Sequence, residues 1–411
     1  MSELFERIFV PADLRDALSD RAWLQAMLDA ERALAAAAAR AGLVPPEAAE
    51  AIAAACSWER FDRAELADAG RAPGNPVEPL VRALTAAVEP DAARYVHWGA
   101  TSQDVLDTAA MLVSRRALDL LLYATAGVAR ECARLADTYR GTPMAGRTLL
   151  QQAVPTTFGL KAAGWLIGLL EARRGLVRAR ERLAIQLGGA AGTLAPLGEA
   201  GPEVLRLFAE ELGLENPLVP WHTNRVRIAE LGASLAVAAG ALAKIGLDIA
   251  LLAQTEVGEV AEAEGGVSST MPQKRNPVGS ALAIACARQV AAQASVLTAA
   301  LAQEHERAAG GWHSEWPALT AALAYAGGAA DGARRALAGL EVDAERMRAN
   351  LGDATMAEQR AFALAEQVGR REAYERVARE GVPDDLDPTD YLGSAETFVD
   401  RVLALYRSEL A

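Results

Sequence analysis

The sequence predicts an all-α protein built around a bundle of unusually long helices. Three observations carry this reading. Alanine, leucine, arginine and glutamate dominate the 411 residues, and β-branched residues are sparse, a helix-forming composition. Apolar residues recur at helical spacing over long tracts. No stretch alternates with period two for long enough to make a convincing strand. The first tract is DRAWLQAMLDAERALAAAAARAG, in which Trp23, Met27, Ala30 and Leu34 fall on one stripe. Gly42 and then Pro45-Pro46 stop it, as helix-ending residues do. After the linker Gly70 to Pro76 come five longer tracts: about Asp104 to Tyr139, Thr156 to Leu187, Arg225 to Glu264, Pro277 to Arg307, and Trp316 to Leu340. A helix of about 35 residues is roughly 50 Å long. Such rods, apolar on most faces and rich in small residues, call for a bundle that also packs against other subunits. No repeat of fixed period is visible, which argues against a solenoid. Three segments follow from the breaks: an N-terminal helical domain over 1–96, a central long-helix domain over 97–342, and a short C-terminal helical domain over 343–411.

Composition excludes several classes. With 52% hydrophobic residues the chain is not disordered. Cys56, Cys132 and Cys286 form no C-x-x-C pair, so a reducing, cytoplasmic setting is the simpler reading and a cysteine-rich zinc site is not expected. A net charge of −13 argues against nucleic-acid and anionic-membrane partners. The start, MSELFERIFVPADLRD, lacks the basic and apolar regions of a signal peptide. The two most apolar stretches are broken by Lys244 and Asp248 and by Arg288. They read as helices buried nearly all round rather than as membrane spans.

Five polar segments interrupt the rods. The loop EGGVSSTMPQKRNPVGS, Glu264 to Ser280, carries hydroxyls, Lys274 and the amides at the start of the following helix, a donor set that suits an anion. It is not a P-loop, and taken alone it reads equally as an interhelical connection. HWGATSQD (His97–Asp104) precedes a long helix, where Thr101, Ser102 or Asp104 also serve as caps. GRTLLQQ (Gly146–Gln152) and PWHTNR (Pro220–Arg225) also stand before helices, and QEHER with GWH (Gln303–His313) stands at a helix end. All four histidines, His97, His222, His305 and His313, lie in these segments. That points to a shared polar site, although His305 and His313 also suit a helix C-terminus, where a cation is favoured.

Together these segments resemble the fumarase/aspartase superfamily. SSTMPQKRNP matches its signature loop S-S-x-M-P-x-K-x-N-P, and GATSQD and GRTLLQ match its other two segments in the right order. PWHTNR, QTEVGEV, QEHER, GWHSEW and DPTDYLG look most like its cycloisomerase branch, which closes a lactone ring on a small polycarboxylate. The resemblance implies a three-domain fold whose central bundle forms the core of a homotetramer, active sites shared between subunits, and no organic cofactor or catalytic metal. It assigns Ser268 to proton transfer, places His97 near the acid/base machinery, and gives Lys274 and Asn276 to the loop. Thr101, Ser102, Thr148 and Gln151 match substrate-carboxylate contacts, and Arg307 matches a substrate-binding arginine. Gln103, His222, Arg225 and Ser269 adjoin these and complete the expected binding set. Two positions depart from the lyases of the family. Leu149 stands where they hold a histidine, and Ala281 where they hold a glutamate. That pair protonates a basic leaving group. Its loss fits a reaction in which a carboxylate, already an anion, attacks or leaves. It fits equally an elimination from a substituted succinate with a weakly basic leaving group, and a non-catalytic member that keeps the fold also stays open.

Overall fold

A computed structural model describes residues 3–264, 266–267, 271, 274–382 and 386–410. Its helices of ten or more residues are α1 Asp20–Arg40, α2 Pro46–Ala55, α3 Val77–Ala87, α4 Ser102–Thr138, α5 Phe158–Glu181, α6 Gly201–Leu212, α7 Val226–Leu252, α8 Val278–Ala299, α9 Gly311–Leu337, α10 Ala357–Val368, α11 Arg370–Glu380 and α12 Ala395–Leu410. Six short strands are β1 Pro143–Thr148, β2 Gln151–Thr157, β3 Val260–Ala261, β4 Gly266–Val267, β5 Arg275–Asn276 and β6 Glu341–Val342. The chain is mostly helical, as its composition predicts.

Helix α1 shows how local signals set an element. Ser19 caps it, accepting from the Ala22 amide at 3.3 Å. Met27, Ala30 and Leu34 of the expected stripe are buried, and Gly42 turns the chain with φ +78° before Pro45. The five long helices start close to the expected places, but three stop short of the expected ends: α5 at Glu181, α8 at Ala299 and, most of all, α7. Helix α7 ends at Leu252, well before Glu264, because the Gly258 amide turns back to Gln254 O at 2.7 Å and the chain enters β3.

Residues group into two compact units. One holds Met1–Leu122, Arg174–Val237 and Arg288–Gly328; the other holds Tyr123–Arg173, Ala238–Ala287 and Ala329–Ala411. The breaks at 96/97 and 342/343 follow chain order, whereas compactness groups the residues differently: each of the five long helices contributes residues to both units. In the second unit α8 and α9 meet backbone to backbone. A Cβ on Gly279 would lie 2.7 Å from Ala336 N, and one on Gly332 would lie 2.7 Å from Ala283 N. No larger residue fits either position without parting the helices.

Two sequence expectations need correcting here. Helices α7 and α8 are not buried all round. Both are long and apolar enough to cross a membrane by length and composition, yet within the chain only 50% and 28% of their most apolar windows are buried. Val237 and Leu247 on α7 and Val296 on α8 face outward; a single chain leaves them uncovered. The second correction is a β-hairpin. Strands β1 and β2 pair antiparallel from Pro143↔Thr157 to Thr148↔Gln151, with an irregularity between Ala145 and Arg147.

The three cysteines are buried and unbridged. Burial, their main influence, holds their thiols high, pushing Cys56 and Cys286 up to about 12.

Candidate active site

In the first unit the segment before α4 folds into a buried polar network. Asp104 organises it from the first turn of that helix. Its carboxylate accepts the Thr101, Gly188 and Gly189 amides, each at 3.0 Å. The Thr101 contact is half of a capping box. His222 Nε2 meets the same carboxylate at 2.6 Å, with His222 4% and Asp104 1% exposed. Gln103 donates to His222 O at 2.8 Å and accepts from Arg307 Nη1 at 3.0 Å. Arg307 also donates to Gly189 O at 2.6 Å. The hydroxyls of Thr101 and Ser102 are half-buried and make no hydrogen bond among the described residues. Both hydroxyls are left to meet a ligand.

Below them Arg225 bridges two carboxylates. It pairs with Asp107 at 2.7 and 3.0 Å and with Glu315 through Nε at 3.0 and 3.1 Å. It is 1% exposed, and its guanidinium lies 4.7 Å over the Trp221 ring. Two carboxylates share one cation, and Trp312 Nε1 and Gln303 Nε2 add donors at 2.9 and 3.0 Å. Burial holds the Glu315 carboxyl above its ordinary range, against the pull of Arg225. Expected as a substrate contact, Arg225 is closed off from solvent in the single chain. Its donors serve the protein itself.

His97 stands apart from this network. Its backbone is left-handed, with φ +60°, and its Nδ1 meets Glu31 Oε1 at 2.5 Å. Burial opposes a charge on the ring, but the Glu31 carboxylate, with Asp104 behind it, more than reverses this and raises its pKa. His305 and His313 are exposed. Neither caps a helix C-terminus: α8 ends at Ala299, and His313 lies in the first turn of α9.

The second unit carries the other two segments. Rather than leading straight into a helix, GRTLLQQ forms the hairpin tip. Arg147 pairs with buried Glu259 at 2.6 and 3.0 Å, Asn350 donates to Glu259 at 2.9 Å, and Gln152 donates to Asn350 O at 2.7 Å. At the tip Leu149 and Leu150 take φ of +50° and +65° and are 97% and 76% exposed. Thr148 and Gln151 beside them are also exposed.

The signature loop is closed at its base by β4 and β5, which pair Gly266 with Asn276 and Val267 with Arg275. Asn276 Nδ2 donates to Gly266 O at 3.2 Å, so its side chain braces the loop. Ser268 and Ser269 lie outside the described residues. Lys274 is exposed and lines a cleft of about 1120 Å³ with Asn276, Gln254 and Thr255. The helix amides expected to meet an anion are already taken. Glu262, 4% exposed, accepts the Gly279 and Ser280 amides at 2.9 Å and the Ser280 hydroxyl at 2.6 Å. This carboxylate caps α8 from outside the helix; of the two cations in the cleft Arg275 is paired with Glu341, and Lys274 makes no ion pair among the described residues.

A family model described as lyase matches residues 6–292. The chain belongs to the fumarase/aspartase family of lyases. It is 45% identical to 3-carboxy-cis,cis-muconate cycloisomerase of Pseudomonas aeruginosa, over 98% of this chain and 96% of that protein. It is 46% identical to nitrosuccinate lyase of Streptomyces davaonensis, over 94% of this chain and 91% of that one. The crystal structure of the 3-carboxy-cis,cis-muconate lactonizing enzyme from Pseudomonas putida superposes with a TM-score of 0.93 at 42% identity, covering 100% of both chains. The mostly helical fold expected from the family segments is therefore the fold observed. The buried carboxylates beside these segments, Glu31, Asp107 and Glu315 in the first unit and Glu259 and Glu262 in the second, are residues that sequence reasoning does not single out. The available signal was an acidic residue set in an apolar stripe, as Glu31 is in DAERALA.

Proposed function

We propose that the protein is a cytoplasmic, cofactor-independent cycloisomerase that converts 3-carboxy-cis,cis-muconate to 4-carboxymuconolactone. The observation that carries this is the chemistry of the hairpin tip. Where the family's lyases hold a histidine, this chain presents Leu149, 97% exposed. A leucine cannot protonate a leaving group, and this reaction has none that needs it. The ring oxygen comes from a carboxylate, with a pKa of about 4, which is already an anion at neutral pH. It adds to the substituted alkene carbon. The electron pair displaced to the neighbouring carbon spreads into that carbon's own carboxylate, and one proton delivered there completes the lactone. Ser268 carries the proton and His97 assists. Lys274 stabilises the developing charge. Thr101, Ser102, Thr148 and Gln151 hold the substrate carboxylates, with Ser269 and Arg307 nearby. Holding the flexible dienoate in a ring-closing conformation supplies much of the rate.

The site is shared within a homotetramer. The uncovered apolar faces of α7 and α8 support this, as does the bare hairpin tip. Light scattering on purified protein tests it, and a stable monomer would overturn it.

A second reading has its own support. Nitrosuccinate lyase is as similar as the cycloisomerases, and nitrite also leaves without a proton. Purified protein offered both substrates decides between them. Loss of muconate absorbance with no fumarate formed from nitrosuccinate is the expected result; the converse result would replace the first reading with the second. Ser268→Ala is expected to lower kcat by about 100-fold or more, the scale of general acid–base catalysis. Near wild-type turnover would remove Ser268 from its role.

A further inference from the structure

Helix α1 buries one carboxylate in its apolar face. Glu31 is 1% exposed and sits beside Ala30, Ala33 and Leu34, all buried. Its Oε1 meets His97 Nδ1, while Oε2 has no partner. A buried carboxylate with one bare oxygen is costly. Its neighbour Asp29, by contrast, is hydrogen-bonded to Gln25 and Arg116. His97 adds a second costly feature, since a non-glycine residue rarely holds a left-handed backbone. Strain and incomplete satisfaction meet at one hydrogen bond, and Nε2 of the same ring makes none among the described residues.

We propose that Glu31 is the positioning residue of His97: it accepts the Nδ1–H hydrogen bond, fixes the ring, and leaves Nε2 as the atom that exchanges a proton with the reacting site. This rests on the reading of His97 as a participant in catalysis. In the lactonising direction the proton that Ser268 hands to the carbon is replaced by the Nε2 proton of the protonated ring, and the N–H bonding pair stays on nitrogen. Solvent restores the proton after product leaves. In the reverse direction Nε2 takes the proton up. Besides Glu31, Asp104 on α4 is the charge that acts on His97; Cys56 after α2, with Glu31, Arg32 and Asp29 acting on it, stays a neutral thiol, because burial and then Glu31 push it up to about 12.

Four histidines are few enough for isotope-labelled NMR to follow each ring, with His97→Asn assigning its signal. Glu31→Gln keeps the shape and removes the charge. The His97 titration is expected to fall by about one unit or more. On the muconate, kcat is expected to drop about 10- to 100-fold with KM unchanged, and the high-pH limb of the profile to move to lower pH. Glu31→Asp restores part of both, and serves if the Gln variant does not fold. Glu31→Gln combined with His97→Asn is expected to be no slower than His97→Asn alone. An unmoved titration, or two losses that simply add, would make Glu31 a core residue and overturn the proposal. If the titration moves but His97→Asn turns over like wild type, the catalytic reading of His97 fails instead, and the positioning role fails with it. A preparation silent on the muconate but active on nitrosuccinate changes the substrate alone; the same variants are then read on that elimination.

Discussion

Two segments of this chain match the same family pattern and are built in opposite ways. The segment from Thr101 to Asp107 is closed: Gln103, Asp104 and Asp107 are buried, and their polar atoms are spent on Arg225, His222, Arg307 and backbone amides. The hairpin tip from Thr148 to Gln151 is open. Its leucines are exposed on a left-handed backbone, and what holds the hairpin lies behind the tip, at Arg147 and Gln152. The difference teaches that likeness of motif does not imply likeness of state. One segment, its two leading hydroxyls apart, is satisfied within its own chain, while the other is held ready in a conformation that the chain alone does not reward.

Four substitutions test this contrast. Arg225→Met strips the cation from Asp107 and Glu315, and is expected to lower unfolding stability by about 3–5 kcal/mol. A urea midpoint shifted by less than a quarter of that would show that the closed segment is not held by its charges. Asp104→Asn, which weakens the amide contacts and the His222 pair, is expected to lose about 1.5–3 kcal/mol in the same measurement. On the open side the sign reverses. Leu150→Gly relieves a left-handed leucine and is expected to gain about 1 kcal/mol, within the range for that conformation, while kcat/KM on the muconate falls. Unchanged activity would make the tip an ordinary surface turn. The smallest effect is in pH. His97 has a raised pKa in the folded chain, so its contribution is complete below the unfolded value of about 6.5 and drains away as pH rises through the folded value. Glu31→Gln is expected to flatten that part of a stability–pH curve, and an identical slope in wild type and variant would contradict the pairing.

Much of the architecture was legible because its signals are local. The stripe and stop of α1, the starts of α4 and α8, and the three family segments can all be read within short windows. What was missed depends on partners far along the chain. QQAVPTT does not alternate and contains Pro155, so nothing within it announces a strand; Glu259 and Asn350, 112 and 198 residues from their partners, hold the hairpin. The same holds for Glu31, 66 residues from His97. Its neighbours predict burial, but only the folded chain shows what it is buried against. The amides at the start of α8 looked free for an anion because the carboxylate that takes them, Glu262, precedes the loop and returns to it.

The buried cysteines turn the molecule into its own clock. A thiol reagent reacts with a thiolate, and these groups, sealed and held high, offer almost none while the fold is shut. Modification therefore waits for the protein to open. Cys56 belongs to the first compact unit, and Cys132 and Cys286 to the second. The order in which the three are modified reports which unit breathes first. Added substrate should slow whichever opening it opposes.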